Sequence, residues 1–200
     1  MKRRDFLTLT SALLMAGHNR FTQAESEGAQ QSTQSTWHTA QKLHGLRLAK
    51  PGELLQIIFF FDPNCPACAK LWQWFDTTPR RHLASGWVPV AYMKQTSAAR
   101  SIALLRATDP YAALAKNYIA FDRATWQGGI PLEEDIRAQE RLKLRRNTTF
   151  WKSLFGATPL ILYRTRNGEV WQQIGLPTEP RMNHLVTELA PATLEQFGNP

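Results

Sequence analysis

Cysteine is nearly absent from this 200-residue chain: Cys65 and Cys68 are the only two. A pair three positions apart closes a ring too small to staple a fold, because a disulfide stabilises chiefly by closing long loops. Two cysteines also fall short of a structural zinc site, which takes about four ligands. His38, His44, His82 and His184 are scattered without ligand spacing. An inert disulfide and a copper- or zinc-binding module therefore rank below a third reading, in which the two thiols are there to react.

Other shortages exclude more. The chain has no apolar run fit to cross a bilayer: Phe6 to Gly17 spans twelve residues, where a spanning helix needs about 20. That run follows Lys2-Arg3-Arg4 and precedes Thr22-Gln23-Ala24, the layout of an export signal covering residues 1–24. Arg3-Arg4-Asp5-Phe6-Leu7 fits the twin-arginine pattern, with an ordinary Sec signal as the alternative. No cysteine stands near the cleavage point, so a lipid anchor is not expected, and the mature protein is expected in the periplasm. Removing four basic residues and one acid with the signal lowers the formal charge from +8 to +5. The densest basic run, Arg141 to Arg146, carries leucines between its charges and lacks aromatic or glycine interleaving. It reads as a solvated helix face, and no nucleic-acid partner is expected. Residues 25–36 have no apolar periodicity and read as a flexible leader.

What the chain does have is apolar and aromatic mass, 43% and 10% of residues, enough for one buried core over residues 37–200. Trp37 to Leu46 reads as a short helix with Thr36 as its cap, and Lys50-Pro51-Gly52 as a turn. Leu54 to Phe61 is an almost unbroken apolar run, the pattern of a strand buried on both faces. Helical spacing then begins, with Cys68, Leu71, Trp72 and Phe75 on one stripe. Trp72, Trp74 and Phe75 read as core or cleft wall. Trp87 to Met93 reads as a second strand, with Pro89 suggesting an edge or the strand's first turn. Residues 96–155 read as largely helical. A break falls at Gly128-Gly129-Ile130-Pro131, and Asn147 or Thr148 would cap a last short helix. Leu160 to Tyr163 and Val170 to Ile174 flank Asn167-Gly168, which predicts a hairpin with a type I′ turn. Pro180 opens a final helix through Leu189.

The chemistry is concentrated in Cys65-Pro66-Ala67-Cys68. Pro66 suits the first position of a helix, where its missing N–H costs nothing. That places Cys65 at the helix tip, where unpaired amides and the dipole end favour a thiolate. Cys65 is therefore expected to be exposed and acidic. Cys68, one turn on, is expected to be shielded and within reach to resolve a mixed disulfide. A cysteine nucleophile needs no further cofactor for this chemistry. For Thr158-Pro159 the residues alone leave a trans proline opening a strand and a cis bond equally open.

Phe61-Asp62-Pro63-Asn64-Cys65-Pro66-Ala67-Cys68, with Leu71-Trp72 after it, resembles the active-site segment of the DsbC/DsbG family of periplasmic thiol-disulfide interchange proteins, nearer DsbG. Residues 156–163, GATPLILY, resemble the family's cis-proline segment, and residues 171–177, WQQIGLP, the strand and turn after it. The resemblance implies a thioredoxin-like α/β fold with a helical insertion over about 96–155. It implies Cys65 as nucleophile, Cys68 as resolving thiol, and Thr158-Pro159 as a cis pair beside them that binds substrate backbone. It further implies cysteine-containing exported proteins as substrates, or single sulfenic acids, and a membrane electron donor of the DsbD type. Two departures qualify it. Pro66-Ala67 lacks the histidine of strongly oxidising DsbA-type sites. Few residues precede Trp37, where the family carries a dimerisation domain, so a monomer that reduces better than it isomerises is expected. A DsbA-like disulfide donor is the alternative within the same chemistry.

Overall fold

Five strands hydrogen-bond into one mixed sheet in the order β1-β3-β2-β4-β5, formed by Leu46–Leu48 (β1), Ile57–Phe61 (β2), Ser85–Pro89 (β3), Leu160–Arg164 (β4) and Val170–Ile174 (β5). The computed structural model describes residues 33–77 and 79–192; the expected export signal lies outside them. Helices occupy 33–41 (α1), Pro66–Phe75 (α2), Ser97–Arg106 (α3), Pro110–Ile119 (α4), Ala138–Ser153 (α5) and Glu179–Glu188 (α6). β2 runs parallel to β3 and antiparallel to β4, with Phe60 opposite both Val88 and Leu160.

All five residues of β2 are buried, because the strand is sandwiched between two apolar layers. Side chains alternate along a strand, so Ile57, Phe59 and Phe61 face a layer with Trp72, Phe75, Leu114 and Leu185. Ile58 and Phe60 face the opposite layer, with Trp37, Val88, Leu162 and Trp151. The first layer is the one that holds both cysteines.

Several local expectations need correction. The first helix spans 33–41 rather than starting at Trp37, so 33–36 are helical and not leader. Gln34 Nε2 donates to the carbonyl of Gly168, 2.6 Å away, and Trp37 and Ala40 are buried mid-helix. Thr36 lies within the helix and does not cap its start. Leu46, expected at the end of that helix, opens β1 instead. Pro89 ends β3 rather than beginning it; β1 pairs only with Ser85 to Trp87, so no ladder bond is lost at Pro89. α5 runs unbroken through Asn147 and Thr148, because neither side chain caps a helix. Asn147 bonds outward to His44 and Pro89, and the Thr148 hydroxyl donates to Leu144 O, 3.0 Å away. In the hairpin only Gly168 has positive φ, at 84°, so the turn is not type I′. Thr165 instead accepts from Gly168 N at 2.9 Å and donates to Glu169 O at 2.9 Å, a three-residue loop with glycine at its left-handed position.

Candidate active site

β2 aims its end at the start of α2, and the short link Asp62-Pro63-Asn64 carries the chain onto Cys65. Cys65 is the cap of α2 in extended conformation, and Pro66 takes the first turn without an unpaired amide. The capping atom is sulfur: the Cys68 amide donates to Cys65 Sγ at 3.3 Å. Cys68, one turn along, lies on the buried face with Leu71, Trp72 and Phe75. Pro66 and Ala67 are half-buried. Trp72, Trp74 and Phe75 are buried in the same apolar layer as the pair.

Cys65 is not open to solvent as the helix-tip argument implies: it is 3% exposed, against 0% for Cys68. The covering group comes from far along the chain. The Thr158 carbonyl sits 3.6 Å from Cys65 Sγ, positioned to accept from the thiol. The Thr158–Pro159 peptide bond is cis. Trp151 Nε1 holds the Ala157 carbonyl at 2.7 Å, and Gly175 N holds that of Pro159 at 2.8 Å. Pro159 is buried and Thr158 half-buried, so the structure brings all four expected site residues together.

The two thiols have opposite electrostatics. A hydrogen bond from Cys68 holds the Cys65 thiolate, and the Thr158 side chain and the amides of Cys68 and Ala67 add to it. Together they overcome burial and bring Cys65 from 9.0 down to about 7. Burial pushes Cys68 well above its ordinary range, and the neighbouring Cys65 adds to the rise. At neutral pH Cys65 is thus the more readily ionised of the two sulfurs, and Cys68 is held as a thiol.

Residues that the sequence argument passed over hold this geometry. Asp62 is fully buried, and its carboxylate accepts from the amides of Asn64, Tyr92 and Met93 at 2.9–3.0 Å and from the Ser97 hydroxyl at 2.8 Å. Burial raises its pKa against those four bonds. Asn64 donates to Thr96 and Ser97 and accepts from Gly128 N at 3.0 Å. Asn117 donates to the Pro63 carbonyl at 3.1 Å. Gly128 is required by space: a Cβ there would stand 2.0 Å from Asn117 Oδ1 and 2.7 Å from Pro63 O. Apart from Asn64 itself, every one of these partners lies between β3 and α5. The signal for Asp62 was available, since an acid at the end of an all-apolar strand is buried and must be bonded. The identity of its partners was not. Among the described residues no group of three His, Cys, Asp or Glu side chains is placed to hold a metal.

No family model matches the chain. The thiol:disulfide interchange protein DsbG of Pseudomonas aeruginosa is 31% identical over 137 residues, covering 65% of this chain and 50% of that protein. DsbG of Escherichia coli is 25% identical over 153 residues, covering 74% of this chain and 58% of that protein. The chain is similar to these two proteins over part of their length. It spans about half the length of the curated relatives it matches. Among solved structures, the catalytic domain of Proteus mirabilis ScsC superposes with a TM-score of 0.56 at 20% identity, over 78% of this chain and 96% of that one. The chain therefore has a thioredoxin-like fold. Among its described residues no helix is long and apolar enough to cross a membrane.

Proposed function

We propose that this protein is an exported thiol-disulfide oxidoreductase that reduces or isomerises disulfides of other periplasmic proteins, or reduces their sulfenic acids. The observation that carries the reading is the split pair: Cys65 near pH 7 at a helix tip and Cys68 held as a thiol one turn behind it. The Cys65 thiolate attacks one sulfur of a substrate disulfide, forming a mixed disulfide and releasing a substrate thiolate. Cys68 then gives up its proton, attacks Cys65 Sγ, and releases the second substrate thiolate. Two electrons pass from the pair to the substrate, and a Cys65–Cys68 disulfide remains. With a sulfenic acid, the first attack expels water instead and leaves the same mixed disulfide. The Thr158 backbone, bent beside Cys65, is the edge on which an extended substrate segment pairs. A membrane dithiol donor of the DsbD type would restore the reduced pair.

A thiolate with a pKa near 7 stabilises the reduced state only weakly at neutral pH, which favours reduction or isomerisation over donation of disulfides. The test is the equilibrium of the Cys65–Cys68 pair with glutathione, run beside reduction of a disulfide-bonded protein substrate. A poise as strongly oxidising as a disulfide donor's, with no substrate reduction, would overturn the assignment of direction. Stoichiometric metal retained by reduced protein that reduces no disulfide would overturn the enzyme reading itself.

A further inference from the structure

A solvated helix face accounts for the charges between Arg141 and Arg146 but not for the leucines among them. The structure separates those two leucines. Leu144 is 5% exposed and belongs to the core, whereas Leu142 is 54% exposed. Leu142 does not stand alone. With Leu43 and Phe150 it lines an open groove of about 520 Å³ between α1 and α5, and Arg145 and Arg146 line the same groove. Leu43 and Phe150 are half-buried against the second apolar layer, where the Phe150 and Phe60 ring centroids are 6.0 Å apart.

The charge on this face has one sign. No acid occurs in residues 33–52 or 141–168. The acid of α5, Glu140, is already held by Arg106 and Arg137 at 2.7 Å each. Lys42, Arg141, Arg145, Arg146 and Lys152 are exposed. Among the described residues none of these five is in an ion pair. We propose that the face formed by α1 and α5 docks on a bilayer surface that carries anionic phospholipid. Headgroups supply the negative charge that this face lacks. A shallow apolar centre ringed by long basic side chains suits a boundary that is apolar below and anionic above. The arginine stems lie along Leu142 and Phe150 while their charged ends reach phosphate. A protein partner would instead have to fill the groove and match each unpaired cation with a carboxylate of its own. Docking by this face leaves the redox site free, because α1 and α5 cover the side of the sheet opposite the layer that holds Cys65 and Cys68.

The experiment is co-sedimentation with vesicles of phosphatidylcholine, with and without phosphatidylglycerol. Protein recovered after export, without residues 1–24, keeps the signal's own affinity for lipid out of the measurement. Binding is expected at low salt with phosphatidylglycerol and not without it. It should be lost in about 1 M salt, where charges are screened beyond about 3 Å. Arg145→Glu with Arg146→Glu should weaken partitioning at least about tenfold, and Leu142→Ser about threefold. Lys116→Glu with Arg123→Glu makes the same change of charge on the other side of the sheet and should weaken it less than about threefold. All five side chains are exposed, so the fold survives each change. No binding to the anionic vesicles overturns the proposal. So does an equal loss in the Lys116 and Arg123 pair, which would mean that net charge alone attracts the protein. Unchanged binding in Leu142→Ser also overturns it, because the groove would then take no part. The readout is lipid binding and not turnover, so a negative result leaves the oxidoreductase reading standing. A wild-type protein that reduces no substrate would sink that reading and leave the docking face untouched.

Discussion

Cys65 combines near-complete burial with an acidic thiol, two properties that usually oppose each other. Burial alone would raise its pKa; the bonds from Cys68, Thr158 and the amides of the first helical turn lower it to about 7. Alkylation of reduced protein should therefore label Cys65 first, with a rate that climbs through pH 7, while Cys68 stays unlabelled until the protein unfolds. Mass mapping of the alkylated residue checks this, and equal labelling of both thiols would refute it. Asp62 is the other decisive residue. Asp62→Ala strips partners from three backbone amides and the Ser97 hydroxyl. At about 1 kcal/mol or more per orphaned buried donor, the loss should be about 3 kcal/mol or more. Urea midpoints measure it, and a change below about 1 kcal/mol would show that the loop does not depend on the carboxylate.

At the scale of elements, the stretch between β3 and β4 works as a clamp on the catalytic loop. α3 supplies Ser97, α4 supplies Asn117, and the loop before α5 supplies Gly128. α5 closes the clamp through Asn147, which accepts from His44 N at 3.2 Å and donates to His44 O and Pro89 O at 2.7 and 3.0 Å. Asn147→Ala should cost about 2–3 kcal/mol of stability, measured by thermal or urea unfolding. Hydrogen exchange should rise first in 42–46 and at the end of β3; loss confined to α5 would contradict the role. These elements also mark how far a sequence reaches. β2 and α2 were legible because an apolar run and a 3.6-residue stripe are local signals, and the cysteines fell between them. The shielding of Cys65 was not legible, because the Thr158 carbonyl belongs to a segment 93 positions away. The unbroken α5 was misread for the same reason. Asn147 is a good cap by type, and only tertiary partners show that its side chain is engaged elsewhere.

For the whole molecule, the chemistry of the site is tied to folding stability. A thiol whose folded pKa is depressed stabilises the native state above its unfolded pKa, and that stability is lost as pH falls through the folded value. Here the window runs from 9.0 down to about 7. Reduced wild-type protein should gain on a reduced Cys65→Ser variant between pH 6 and pH 9, by at most about 2–3 kcal/mol. Denaturant titrations at the two pH values measure it; a gap that stays constant or narrows toward pH 9 would contradict the depressed thiol. The wide spacing of the site's parts has one more consequence, for a chain still being made. A polypeptide emerging from its N-terminus presents the two cysteines long before Thr158. Until that residue arrives, Cys65 has only Cys68 and the amides of its own first turn to favour a thiolate. Full reactivity therefore comes with completion: a chain stalled short of residue 158 would hold both thiols without the Thr158 share of their tuning, and an unfinished molecule would be slower to engage partners as an oxidoreductase.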